Sequence, residues 1–416
     1  MLNGRSLKLN IAVVLDQEIF HGGGFQYGLS IILLLKKNEN EKYNFIFFTT
    51  FKKNIDILKK NNIEAVSLGL SRANKIFSYI KRNQSIYRMQ KALKINLTNK
   101  FDRILKKYNI DLIYFITPSS FSLFTEQFNF IFTAWDSCHR DFPEFPEVNI
   151  YGEFEIRENL YKNALPKATK VITESDLGRI NIINRYNLDA DRVVSLSMLP
   201  WIASNANFMK VSDEEYKQNY VDIKKKYNIE GKYIFYPAQF WPHKNHIYIL
   251  EGLKILKEKY NKKIYAVFSG SDKGNLGCIL KKTKELGLED QIYYIGFVDS
   301  QEMPYLYKQA LALVMPTYFG PTNIPPLEAF KLGCPVLYSD LPGLRDQVKG
   351  AALLLDLKDP ESLVKNLLKV IGNSADIKTL IANGYRIVES WTDQDYWYKL
   401  KEIFDEYAVK LKCWKQ

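Results

Sequence analysis

Short apolar runs recur along this chain, and most are followed by a stretch with helical periodicity. The first run, Lys8–Leu15, leads through the glycine cluster Gly22–Gly23–Gly24 into an apolar helical segment at Phe25–Lys36. Strand, glycine turn and helix in that order open a βαβ unit, because parallel neighbours need a long crossover that a helix supplies. Runs at Tyr43–Thr49, Ile110–Ile116, Phe128–Ala134 and Lys170–Thr173 continue the series. After an aperiodic stretch at Pro200–Ser212 the alternation resumes. Strands are predicted at Tyr233–Pro237, Ile264–Gly270, Ile292–Phe297, Leu311–Met315 and Pro335–Ser339. Helices are predicted at His246–Glu258, Lys273–Leu286, Met303–Ala310, Pro326–Leu332, Pro360–Ile371 and Ile377–Glu389.

Such alternation predicts an α/β architecture with parallel sheets covered by helices. With 416 residues the chain exceeds the roughly 250–300 residues at which one core stops growing. The expectation is a doubly wound Rossmann-like domain over 1–200, a second over 213–392, and a last helix within 393–416 crossing back to the first. Ligands of doubly wound sheets sit outside the carboxyl ends of the strands. Two such edges facing a common cleft would hold a donor on one side and an acceptor on the other.

Charge narrows the partners. The net charge is +12, which suits an anionic ligand or surface. Much of the excess lies in 71–107, where eleven Lys and Arg face a single acid, Asp102, and are interleaved with Phe77, Tyr79, Ile80, Ile86, Tyr87 and Met89. Such a segment reads either as a solvated helix face or as a peripheral contact with an anionic membrane, and no nucleic-acid motif accompanies it. There is no apolar run long enough to span a bilayer and no secretory leader pattern, and the four cysteines are scattered without CxxC spacing. A cytoplasmic location, with or without peripheral attachment to the inner membrane, is expected.

Four stretches carry the candidate chemistry. In Pro316–Asp340 a strand end, a Gly/Pro loop and a helix start come together, with Thr322, Asn323 and Ile324 at the helix entrance and Glu328 within its first turns. Exposed N–H groups and the helix dipole at such an end attract anions. In Tyr236–His246, Lys244 sits between strand and helix, where a cation stabilises a departing diphosphate; Gln239 and His243 flank it. In Phe132–Glu147 a strand ends at Asp136 and is followed by His139 and Arg140. The fourth is the glycine turn Gly22–Gly23–Gly24, which allows close backbone approach to a ligand and lacks the GxGxxG spacing. His21, His139, His243 and His246, the four histidines, all fall near these turns. Asp189-Ala190-Asp191 spells DxD but reads as a turn, and Glu174-Ser175 as a helix cap.

Pro316, Thr317, Pro325, Glu328, Ala329, Gly333, Pro335 and Val336 resemble the donor-binding motif of family 4 of the retaining glycosyltransferases, in the branch that builds cell-surface polysaccharides. Lys244 matches the family's lysine, with Gln239 where that family has arginine and Gly320 where it has a first glutamate. The resemblance implies the GT-B fold and retaining, metal-independent transfer from a nucleoside-diphosphate sugar to a glycan or lipid-linked glycan, as in O-antigen, capsule or lipopolysaccharide synthesis. It implies that Glu328 holds the nucleotide ribose, that Thr322–Ile324 hold the sugar and diphosphate together with Gln239 and His243, and that Lys244 neutralises the leaving group. It places Asp136 at the family's aspartate and gives His139 the family histidine's contact with the donor sugar. Gly22, Gly23, Gly24 and Arg140 fall to the phosphate and acceptor side. A non-catalytic sugar-nucleotide-binding subunit of a glycan-assembly complex is the alternative.

Overall fold

A computed structural model describes residues 8–18, 23–69, 92, 99–198, 220–299, 301–320, 322–372 and 375–415. The backbone forms two parallel sheets. The first contains β1 (Leu9–Leu15), β2 (Tyr43–Thr49), β3 (Ala65–Ser67), β4 (Leu112–Phe115), β5 (Asn129–Ala134), β6 (Lys170–Thr173) and β7 (Val193–Ser195), in the order β3-β2-β1-β4-β5-β6-β7. The second contains β8 (Tyr233–Pro237), β9 (Tyr265–Ser269), β10 (Ile292–Gly296), β11 (Ala312–Met315), β12 (Val336–Ser339) and β13 (Leu353–Leu355), in the order β10-β9-β8-β11-β12-β13.

Each sheet grows outward from its first strand in one direction and then resumes on that strand's other side. The chain therefore reverses its winding between β1 and β4, and again between β8 and β11. The helices leaving the two strands of each pair cover opposite faces, and a crevice opens between the loops at their carboxyl ends. β1 and β8 are buried at all but one position each, Asn10 and Pro237, as sequences rich in Val, Ile and Phe require when both faces are covered. β3, β7 and β13, too short to show an apolar run, are sheet-edge strands of three residues each.

The chain divides into two compact units. One contains 1–136, 155–197 and 394–416, and the other 137–154 and 198–393. The segment 137–154 thus clusters with the second sheet although it interrupts the chain of the first. Its contribution is apolar, with Cys138 and Val148 packing against Phe319 of the β11 loop. The long helix Asp393–Leu411 lies on the first sheet from Gln394 onward. Trp397 and Phe404 pack against the rings of Tyr43 and Phe45. Tyr407 donates to the Asp111 carbonyl at 2.8 Å and accepts from Asn129 at 3.1 Å, and the Tyr396 and Tyr27 hydroxyls meet at 2.9 Å.

Local chemistry sets the helix ends. Ser175 caps Asp176–Tyr186 by accepting the Gly178 N–H at 3.0 Å, as its position after β6 predicts. Asp189-Ala190-Asp191 lies in a tight turn closed by Arg192 N–H donating to the Asp189 carbonyl. The glycine turn after β1 is shorter than expected: Gly23 and Gly24 belong to the first turn of the helix Gly23–Lys37, while Gly22 lies outside the described residues with His21. The basic stretch 71–107 lies outside the described residues up to 98 apart from Ala92, and its end forms the helix Lys100–Lys107. No described helix is long and apolar enough to cross a membrane.

Gly270 closes β9 with φ +153°, and a Cβ there would stand 2.2 Å from the Ala238 carbonyl oxygen in the loop after β8. Gly270→Ala is expected to lower unfolding free energy by about 3 kcal/mol through strain and displaced backbone. Urea denaturation checks this, and an unchanged midpoint would refute the close approach.

Candidate functional site

The crevice of the second sheet has two walls, the loops after β8 and β11. After β8 the chain turns through a 3₁₀ segment, Pro242–Lys244, and a left-handed Asn245 (φ 54°) before the helix His246–Tyr260. Lys244 is fixed by its backbone: its N–H donates to the Trp241 carbonyl at 3.1 Å, and its carbonyl accepts the Tyr236 hydroxyl at 2.8 Å. After β11 the chain passes Thr317 to Asn323 and enters the helix Ile324–Lys331. The His243 carbonyl accepts the Tyr318 N–H at 2.9 Å and the Thr317 hydroxyl at 3.4 Å, which laces the two walls together.

Across this junction the Lys244 ammonium donates to the Asn323 side-chain oxygen at 3.2 Å. Asn323 occupies the N-cap position without capping the helix with its side chain. Its amide instead donates to the Tyr338 hydroxyl at 2.7 Å, and Tyr338 donates to Gln347 Oε1 at 3.0 Å. Gln347 returns to the backbone of Asn323, accepting its N–H at 3.1 Å and donating to its carbonyl at 2.6 Å. The ring of bonds orients the Asn323 amide so that its oxygen faces the lysine. Neither Tyr338 nor Gln347 carries a signal in the sequence, because each acts through a loop more than ten residues away.

The helix entrance offers fewer backbone donors than a helix start usually does. Pro325 and Pro326 have no N–H, and the Asn323 N–H is taken by Gln347. Among the first three helical positions Ile324 alone supplies a backbone donor. Lys244 therefore carries a correspondingly larger share of any attraction for a phosphate. Gly320, in the loop between, has φ +108°, a conformation in which a glutamate would be strained.

Glu328 lies one turn into the helix and is 4% exposed. It accepts the Tyr307 hydroxyl at 2.7 Å. Burial raises its carboxyl to about 7, and the Tyr307 bond only partly opposes that. A group poised so close to neutrality responds to any donor that reaches it.

The remaining candidates are placed separately. Gln239 is half-buried and accepts the Trp241 indole N–H at 3.0 Å. His243 is buried, stacks on Phe319 at 3.8 Å and meets Glu147 through its ring. His139 is fully buried on the short helix Cys138–Asp141, edge-on to Phe154 at 5.5 Å, with Arg140 half-buried beside it. Asp136 ends the first unit's part of this segment and pairs with Arg157 at 3.4 Å. His246 turns into the core. Both ring nitrogens lack hydrogen-bond partners, Tyr236, Phe240 and Phe268 surround it, and burial lowers its pKa to about 3, which keeps it neutral. In the first sheet, Asp16 after β1 accepts the Thr50 and Ser119 hydroxyls at 2.7 and 2.8 Å, tying together the loops at its own reversal point. Among the described residues no cluster of three or more His, Cys, Asp or Glu is arranged to hold a metal.

Residues 220–387 match the family model described as glycosyl transferases group 1. Lys244, Tyr307, Asn323, Glu328, Tyr338 and Gln347 all fall within it. The chain is 26% identical over 241 residues to the O-antigen chain mannosyltransferase B of Escherichia coli, covering 58% of this chain and 61% of that one. It is 26% identical over 211 residues to the O-antigen chain mannosyltransferase RfbU of Salmonella typhimurium, covering 50% and 53%. The chain thus spans under two thirds of the length of these curated relatives. The fold resembles HepE of Anabaena, solved in complex with UDP-glucose, at a TM-score of 0.71 and 14% identity over 96% of this chain and 100% of that one. It also resembles a glycosyltransferase from Rickettsia africae at 0.69 and 15% identity over 96% and 99%. The two Rossmann-like halves are those of the GT-B fold.

The raised carboxyl of Glu328 has a thermodynamic consequence. A pKa higher in the folded than in the unfolded chain means the folded state holds the proton more tightly. The stability it gives is fully present below the unfolded value of 4.5 and is lost as pH rises through about 7. Glu328→Gln is expected to remove that loss, making the variant more stable than the parent at pH 8 by up to about 3 kcal/mol and close to it at pH 5. Urea midpoints at the two pH values check it.

Proposed function

We propose that this chain is a retaining glycosyltransferase that moves a sugar from a nucleoside-diphosphate sugar to a glycan or lipid-linked glycan acceptor. The bond between Lys244 and Asn323, at the winding reversal of a glycosyl transferases group 1 domain, carries the reading. It holds a cation and a helix entrance together where doubly wound sheets bind ligands.

In this reading the donor diphosphate displaces the Asn323 amide as the partner of Lys244 and also takes the Ile324 N–H. Thr322 and Asn323 contact the sugar and diphosphate, and Gln239 and His243 flank them. As the sugar–phosphate bond breaks, negative charge builds on the diphosphate, and Lys244 stabilises that charge more than the charge of the intact donor. Glu328 accepts ribose hydroxyls. His139 contacts the donor sugar near its reacting carbon, and Asp136 is the second catalytic candidate of that stretch. Arg140, Gly22, Gly23 and Gly24 serve the phosphate and acceptor side. The acceptor's proton passes to the departing phosphate oxygen, so retention needs no enzyme nucleophile and the charge work needs no metal.

The relatives named O-antigen mannosyltransferases support a surface glycan as product. In this reading the protein works at the cytoplasmic face of the inner membrane, with 71–107 as the basic contact to anionic lipid.

Ligand-dependent melting tests the donor class, since a ligand that binds the folded chain raises its melting point. GDP or UDP is expected to raise it, and Lys244→Ala to abolish most of the rise and lower kcat by about 10²-fold. Nucleotide affinity is expected to strengthen as pH rises through about 7, because ribose donors favour the ionised Glu328. Binding without turnover of any donor, hydrolysis included, would overturn the enzymatic reading.

A further inference from the structure

We infer that Glu147 is a positioning residue for Lys244, acting through His243; the inference rests on the function proposed above. A lysine side chain is a mobile point charge, and its use against a phosphate depends on where its backbone is held. The turn from Trp241 to Asn245 closes on itself through the Lys244 N–H to Trp241 and the Asn245 N–H to the Pro242 carbonyl. Those bonds shape the turn without aiming it. His243 supplies the aim, and its orientation is set from outside the turn.

A single oxygen of Glu147 receives both the His243 backbone N–H, at 3.0 Å, and the His243 ring nitrogen Nδ1, at 2.5 Å. Main chain and ring are thereby fixed together. Phe319 lies against the ring at 3.8 Å with 14° between planes, and Phe145 meets both rings edge-on. On the other side the His243 carbonyl takes the Tyr318 N–H. His243 is therefore keyed between the segment 137–154 and the β11 loop, and Lys244 is the next residue.

The arrangement carries a cost that packing alone does not require. The Glu147 side chain is 6% exposed, and its second oxygen, Oε2, is buried with no hydrogen-bond partner. Burial raises a carboxyl, yet the bonds from the His243 ring and N–H hold that of Glu147 below its ordinary value. An apolar side chain would fill the same space without stranding an oxygen. What it would not do is grip a backbone N–H and a ring nitrogen at one point. The same grip anchors the segment bearing His139 and Arg140.

The test compares Glu147→Ala, Glu147→Gln and His243→Phe with the parent, by calorimetric titration with GDP and UDP and with guanosine and uridine. Lys244 reaches the diphosphate and not the nucleoside. Glu147→Ala is expected to weaken diphosphate binding about tenfold while leaving nucleoside binding within about twofold, and to lower kcat more than it raises donor KM. Glu147→Gln keeps an oxygen acceptor and is expected to restore most of the loss. His243→Phe keeps the stack on Phe319 but loses the ring nitrogen, and is expected to fall between. Equal loss for diphosphate and nucleoside, or no loss, overturns the inference and leaves the proposed function standing. A parent protein that binds neither diphosphate overturns both. If Glu147→Ala melts without a cooperative transition, His243→Phe decides by the same ratio.

Discussion

Lys244 and Asn323 are 79 residues apart in the chain and share a hydrogen bond because β8 and β11 are neighbours in a parallel sheet. Parallel pairing puts both carboxyl ends on one edge, and the reversal of winding sends the two following helices to opposite faces. The loops leading to those helices start from adjacent strand ends and flank one crevice. That topological constraint brings the cation and the helix entrance together, and the laced His243 carbonyl and the ring through Tyr338 and Gln347 depend on it.

Within this frame several buried polar groups of the crevice find partners or stay neutral. Asn323 uses its amide for Lys244 and Tyr338, so the helix it precedes goes without a side-chain cap. Glu328 is buried against a tyrosine hydroxyl and carries a carboxyl raised toward neutrality. His246, surrounded by aromatic rings, stays uncharged beside a lysine because ionising it there would be costly. Lys244 brings a positive charge to the crevice, and the prolines that open the neighbouring helix remove backbone donors beside it.

Much of the architecture was legible in the pattern of apolar residues. Runs such as Phe128–Ala134 and Pro335–Ser339 became strands within a residue or two, and Pro360–Ile371 became a helix with the same ends, capped by Asp359. β3, β7 and β13 escaped because three-residue edge strands carry too little periodicity. Glycine clusters favour loops, yet Gly23 and Gly24 open a helix. His246 lies beside the crevice loop in the chain, but helical rotation carries its ring inward.

The site was legible only as far as local chemistry reaches. The strand–turn–helix around Lys244 and the proline-led helix bearing Glu328 follow from residue types at close spacing, which is why the amino-acid order alone could single them out. Glu147, Tyr307, Tyr338 and Gln347 answer to contacts across 96, 21, 15 and 24 residues. No periodicity records such contacts, since a side chain's partner over that span is chosen by how strands and loops pack. Sequence by itself therefore determined the α/β class and the residues able to bear charge. Tertiary structure decided which of them are held, and how, because orientation comes from hydrogen bonds that exist only once the sheet has closed.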